Sequence, residues 1–225
     1  MTRTSVRQRV QETAFWRTYD HSRYFILFCS LLLTLVLVPA ATLIGLPGAA
    51  MTTLVGLSLL AAVLPNTSPR QRVLLPSSIL ILILAREAAD YALLPTASAM
   101  VQVIIGLVGL LAAAAALRFV IHAGTVNDET IYAALSTYLL AGIFFGQIYW
   151  SIEQIAPGSI SGPDPLTQQS AIYYSFVTLA TLGYGDFLPR SDLVRGIATF
   201  EVIGGQLYLA VMVARLIGLF GNRGD

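Results

Sequence analysis

Long apolar runs separated by short polar breaks set the plan of this chain. The runs cover residues 24–46, 49–64, 73–94, 97–119, 131–150 and 193–220. A helix needs roughly 20 apolar residues to cross the hydrocarbon core of a bilayer. In lipid every backbone polar group must be satisfied within the segment, so each run reads as a helix. Six spans follow. Pro39 is placed to kink the first, and Gly45-Leu-Pro-Gly48 turns it into the second. Polar breaks at 65–72, 120–129 and 151–165 separate the others. A seventh run, 166–179, is too short to span and leads into Thr178-Leu-Ala-Thr-Leu-Gly-Tyr-Gly-Asp186. It predicts a half-length helix that enters the membrane and returns as extended chain. Such backbone is tolerated only where protein shields it or where it lines an aqueous path.

Composition agrees with this plan. Hydrophobic residues make up 56% and charged residues 11% of the chain, where a soluble domain is nearer a quarter charged. The 13 basic residues are all arginine, the net charge is +1, and nothing points to a nucleic-acid partner. Cys29 is a single cysteine, so neither an intrachain disulfide nor a zinc site is expected. His21 and His122 fall near helix ends and read as interfacial side chains. Arginines lie at 3, 7, 9, 17 and 23, at 70 and 72, and at 215 and 223, whereas the breaks after the first and third spans have none. The positive-inside rule therefore places both termini in the cytoplasm of a multi-pass cell-membrane protein. Residues 1–23 form a basic cytoplasmic tail rather than a signal peptide. Arg190 and Arg195, just after the short helix, are external exceptions fixed by re-entry of the chain.

The chemistry sits in the 178–186 stretch. Gly183 and Gly185 lift the φ restriction that a side chain imposes. Successive carbonyls can then face one axis and replace the water around a cation. Thr181-Leu-Gly-Tyr-Gly-Asp186 resembles the signature of the tetrameric potassium channels, with Leu182 where Val or Ile is commoner. The similarity runs upstream through Ala171-Ile-Tyr-Tyr-Ser-Phe-Val-Thr178. Downstream it takes in Phe187-Leu-Pro189 and continues from Glu201 to Arg215, about residues 130–220 in all.

The resemblance implies an all-α membrane protein of six transmembrane helices, with a re-entrant pore helix and selectivity filter between the fifth and sixth. Residues 1–125 would hold the cytoplasmic segment and a four-helix, sensor-like domain. Residues 126–225 would be the pore domain of outer helix, pore helix, filter and inner helix. Permeant potassium ions would bind the carbonyls of Thr181, Leu182, Gly183 and Tyr184 and the Thr181 hydroxyl, with Gly185 and Asp186 closing the filter strand. One chain supplies one strand, so a homotetramer in membrane lipid is implied, with no organic cofactor. Tyr173 and Tyr174 stand where the family often has tryptophan, and the Tyr173 hydroxyl is placed either to bond Asp186 or simply to pack. Val177 replaces a glutamate found in some members, and Ala180 a usual threonine.

Glu201 is a carboxylate within an apolar run, a costly placement that defaults to a function. Its expected partner is a hydroxyl behind the filter, Tyr174 or Thr178. Gly204 and Gly205 interrupt the last span and read equally as hinge or as packing surface. Leu209, Val213 and Ile217 follow at i+4 spacing and would line a cavity and an apolar gate. The fourth span carries a single arginine, Arg118, near its inner end, so little intrinsic voltage dependence is expected. Arg86 and Asp90, four apart on the third span, would neutralise each other. Only residues 221–225 follow Phe220, so a nucleotide- or calcium-binding gate would need a separate subunit. The leading reading is a potassium-selective channel; a non-selective cation channel is the alternative. An intramembrane enzyme or scaffold is set aside, because charges at depth are scattered and no His, Cys or acidic cluster forms.

Overall fold

The computed structural model describes residues 23–37, 71–124 and 127–221. Residues 1–22 of the basic N-terminal tail, Pro39, the 49–64 span, Arg70 and Arg223 lie outside the described residues, whereas Arg72, expected in a loop, falls in the first turn of a helix. Six helices are described: α1 over Arg23–Leu37, α2 Gln71–Tyr91, α3 Pro95–His122, α4 Asp128–Ile155, α5 Gln168–Leu179 and α6 Asp192–Gly221. Strands β1 (Ile160–Ser161) and β2 (Leu188–Pro189) form a small antiparallel pair that apolar periodicity does not foretell. Among the described residues, α3, α4 and α6 are long and apolar enough to cross a membrane. The chain is thus mostly helical, with the membrane-spanning character expected.

Helix ends show why the breaks fall where they do. α2 stops at Tyr91 because Leu93 turns left-handed at φ 56°. The Leu94 amide then bonds Ala89 O and the Leu93 amide bonds Asp90 O, the paired closure of a Schellman motif. Pro95 opens α3, where its missing N–H costs nothing. Asn127 caps α4 by accepting the Thr130 amide at 2.9 Å, and Asp128 and Glu129 favour the positive end of its dipole. α4 runs on to Ile155, past the 151–165 loop expected from its Gly, Pro and Ser content. Glu153 explains the overrun: its carboxylate reaches back to accept the amides of Gly158 and Ile160 at 2.7 and 2.9 Å, fixing the loop after the helix.

The core lies between α1, α3 and α4. Tyr24, Leu27 and Leu31 of α1 join Ile105, Ala112, Ala116 and Val120 of α3 and Leu140, Ile143 and Phe144 of α4. Small residues let α3 and α4 approach closely: a Cβ on Gly109 would sit 2.1 Å from the Phe144 ring. At the opposite end of α3, Arg215 of α6 donates to the carbonyls of Val120 and Ala123 at 3.2 and 2.5 Å, closing that helix's last turn.

Candidate ion-conduction site

Thr167 starts α5 with a capping box: its hydroxyl accepts the Ser170 amide at 3.1 Å, and Ser170 Oγ accepts the Thr167 amide at 2.7 Å. The helix ends in a second Schellman closure. The Leu182 amide bonds Val177 O at 2.9 Å and the Thr181 amide bonds Thr178 O at 3.0 Å. Glycine is usual at the left-handed position of this motif. Here it is Thr181, at φ 58°. A β-branched residue in that conformation is strained by about 1–3 kcal/mol, and its hydroxyl is met by Gln206 Nε2 of α6 at 3.3 Å.

From there positive φ recurs at every second residue: Thr181 at 58°, Gly183 at 59° and Gly185 at 77°. A β-strand turns successive carbonyls to opposite sides, whereas alternation of left- and right-handed residues turns them to the same side. Residues 181–186 are exposed, with Leu182 at 56% and Tyr184 at 67%.

Aromatic rings brace the strand from one side. Tyr173 stacks on Tyr184, with centroids 6.5 Å apart and planes 8° from parallel, and meets Phe187 edge-on at 6.3 Å. The Tyr173 hydroxyl lies on the Asp186 side of the ring, near that carboxylate. Of the two placements left open in the sequence, the ring contacts with Tyr184 and Phe187 are the packing one. Beyond the strand, the Arg190 and Ser191 amides bond Ser159 O, so β1–β2 ties the exit of the strand to the loop after α4.

Glu201 is fully buried, but its partners differ from those expected. Its carboxylate meets Tyr149 Oη at 2.6 Å and Ser175 Oγ at 2.5 Å. Tyr174 instead rests its ring edge-on against Tyr149 at 4.9 Å, with Thr178 one helical turn further along α5. The reason is the α5 face: Ser175 is the hydroxyl turned toward α6, one residue round from Tyr174. Ser175 Oγ also lies 2.7 Å from Gly142 O, so its one proton faces two acceptors. This cluster joins outer, short and last helices in one polar knot. Tyr149 and Ser175 were missed because nothing in the pattern marks one membrane hydroxyl above another.

A second knot was also missed. Gln147 Oε1 accepts from Gln102 Nε2 of α3 at 2.5 Å and from Gln168 Nε2 in the first turn of α5 at 2.7 Å. The available signal was a glutamine standing inside each of two apolar runs, at 102 and 147.

α6 passes Gly204 and Gly205 without a break. A Cβ on Gly205 would meet Leu179 O at 2.6 Å, whereas Gly204 faces open space. Gly205 is therefore where the last helix presses on the end of α5, the packing alternative. Tyr208, whose hydroxyl donates to Ala134 O, and buried Met212 hold one side of α6 to the bundle. Leu209, Val213 and Ile217 lie on the other side, exposed.

A short capped helix, a stretch of alternating positive φ and a spanning helix thus follow one another in the chain. Residues 133–221 match the ion-channel family. Among characterised proteins, the chain is 31% identical over 87 residues to the inward rectifier potassium channel Kirbac3.1 of Paramagnetospirillum magnetotacticum. That alignment covers 37% of this chain and 27% of the relative, so the likeness spans about a quarter of that protein's length. No solved structure matches. The segment from α4 to α6 belongs to the ion-channel family, and the resemblance to potassium channels holds.

Proposed function

We propose that this chain is one subunit of a homotetrameric potassium-selective channel, with residues 181–186 as its filter and with weak or no intrinsic voltage gating. The observation that carries this is the alternation of positive φ along Thr181, Gly183 and Gly185, in a strand whose side away from Tyr173 is open. Carbonyl rings from four copies would replace the hydration shell of a permeating cation. Tyr173, Tyr174, Thr178 and Glu201 would steady the strand from behind. The exposed row Leu209, Val213 and Ile217 would line the lower path, where apolar side chains close a pore by dewetting. Potassium ions are the only ligand this reading requires. It divides the chain into a sensor-like part, 1–125, and a pore domain, 126–225, crossing the membrane six times with both ends cytoplasmic. Arg118, alone on α3, supplies far less than the roughly 3–4 gating charges that steep voltage dependence takes.

The decisive experiment reconstitutes the protein in liposomes holding a potassium gradient and measures reversal potential against sodium during voltage ramps. Reversal at the potassium potential with nearly ohmic current is expected. Reversal near zero makes the pore non-selective, and a steep activation curve overturns the missing sensor. Gly185→Ala places a methyl group on a left-handed residue, at a cost of about 1–2 kcal/mol. It should abolish flux while the oligomer stays intact by gel filtration.

A further inference from the structure

α3, α4 and α6 leave a cavity of about 300 Å³ between them, against Leu179 at the end of α5. Leu110 and Ala114 of α3, Phe145 of α4, and Phe200 and Gly204 of α6 form its apolar walls. Gly109 is filled by the Phe144 ring, but here a Cβ on Gly204 would meet nothing within 4 Å. Most polar groups of the lining are committed. Thr137 Oγ1 donates to Ala133 O at 2.9 Å, the Tyr208 hydroxyl donates to Ala134 O, and the Glu201 carboxylate accepts from Tyr149 and Ser175. Tyr138 is the exception. Its ring lies 6.0 Å from that of Tyr208, and its hydroxyl lies on the Glu201 side. That hydroxyl makes no hydrogen bond among the described residues. The orphan atoms of Gln102 and Gln147 are sealed in protein, whereas the Tyr138 oxygen is open to a ligand.

A hydroxyl in apolar surroundings needs a polar partner, so a polar atom belongs against it. Glu201 disfavours an anion there. A cation would give up its water for a carboxylate that two donors already hold. An uncharged hydroxyl fits both neighbours: it accepts from Tyr138 and donates to a lone pair left on Glu201. The Phe145 and Phe200 rings, 6.3 Å apart, offer apolar surface to the rest of such a molecule.

We propose that this cavity binds a small uncharged alcohol or phenol, with its hydroxyl between Tyr138 and Glu201 and its apolar body against Phe145 and Phe200. Leu179 and Gly205 share the cavity wall, and they are where α5 and α6 touch. An occupant therefore bears on the junction between the short helix and the last one. Its effect on ion flux rests on the channel reading; the binding itself does not.

The test irradiates the full chain in lipid nanodiscs with diazirine-tagged octanol and maps the labelled peptides by mass spectrometry. Tagged octane, which lacks the hydroxyl, is the control. Saturable labelling of the α3, α4 and α6 segments around the cavity is expected with the alcohol. Tyr138→Phe removes one hydrogen bond and should weaken it about fivefold, and Gly204→Leu, which grows into the cavity, should abolish it. Labelling by the octane should not respond to Tyr138→Phe. Labelling that does not saturate, that maps elsewhere, or that is equal in parent and Tyr138→Phe overturns the site. Should Gly204→Leu fail to fold, Tyr138→Phe, which removes a single oxygen, decides alone. Potassium flux measured with untagged octanol adds the second arm. Flux altered at lower octanol concentration in the parent than in Tyr138→Phe supports the link to the α5–α6 junction. An equal effect on both, or none, overturns the link. Absent flux with intact labelling overturns the channel reading while the site stands.

Discussion

α4 and α6 are helices of nearly equal length, 28 and 30 residues, and both are apolar enough to span a bilayer. Yet 67% of the residues in the apolar stretch of α4 are buried, against 22% in α6. α4 is enclosed by α1, α3 and α5, and its polar residues Gln147, Tyr149 and Ser151 all find partners inside. α6 is held along one side only, by Glu201, Gly205, Tyr208, Met212 and Arg215. Its other side presents Phe200, Ile203, Leu207, Val211 and Ile217. Hydrophobicity is equal in kind on the two helices; what differs is whether one chain suffices to cover it. One chain covers α4, whereas α6, with the open strand beside it, is the part that the proposed tetramer would cover. Lipid covers some of such a face, but the exposed Leu182 and Tyr184 sit in backbone that lipid cannot satisfy.

The comparison is broken most directly by truncating one large side chain on each helix. Phe144→Ala opens a cavity in the α3–α4 core and should cost about 3–5 kcal/mol, seen as a fall in the thermal midpoint in detergent. Leu207→Ala should leave that midpoint nearly unchanged and weaken the oligomer, read by gel filtration with light scattering. Equal loss of fold stability from both would mean that α6 is packed within the subunit after all.

The Glu201 knot ranks next. Glu201→Ala removes the acceptor of two buried hydroxyls and should destabilise by about 3 kcal/mol. Glu201→Gln is expected to stay within about 1 kcal/mol, because an amide accepts from Tyr149 and donates its own N–H to Ser175 Oγ. A Gln variant as unstable as the Ala variant would show that the carboxyl itself is required.

The adjacent glycines of α6 should respond in opposite directions. Gly205→Ala drives a methyl group into Leu179 O and should cost about 1–3 kcal/mol. Gly204→Ala meets open space and should stabilise the helix by up to about 1 kcal/mol. Thermal melts of the two variants distinguish a packing glycine from a hinge. The smallest effect is expected at Arg195, whose pair with Asp192 spans 3.6 Å with both side chains in the open. Arg195→Ala should change stability by less than about 0.5 kcal/mol.

Much of this architecture was legible in the apolar runs. The helical character of 73–94, 97–119, 131–150 and 193–220 was predicted, and so was the short helix before residues 181–186. Boundaries shifted where side chains intervened, as Glu153 did by capping the loop beyond α4. The two-residue strands were invisible because a pair so short has no periodicity to read. In the candidate site, the Gly-X-Gly pattern announced a special backbone, but not that Thr181 would share the left-handed conformation. That follows from its place at the closing turn of α5.

The sequence by itself determined the membrane-spanning character of the chain and the ion-channel character of its 133–221 segment, because hydropathy and the Thr181–Asp186 motif are local properties of neighbouring residues. Only the tertiary structure decided which polar groups meet. Glu201 found Tyr149 and Ser175 rather than Tyr174 or Thr178, Gln147 joined α3 to the short helix, and Gly205 rather than Gly204 took the contact with Leu179. The physical reason is one of rotation. Hydropathy fixes which segments enter the bilayer, but the face a helix turns to its neighbours is set by steric fit, such as Gly109 against Phe144, and by the need of each buried donor and acceptor for a partner.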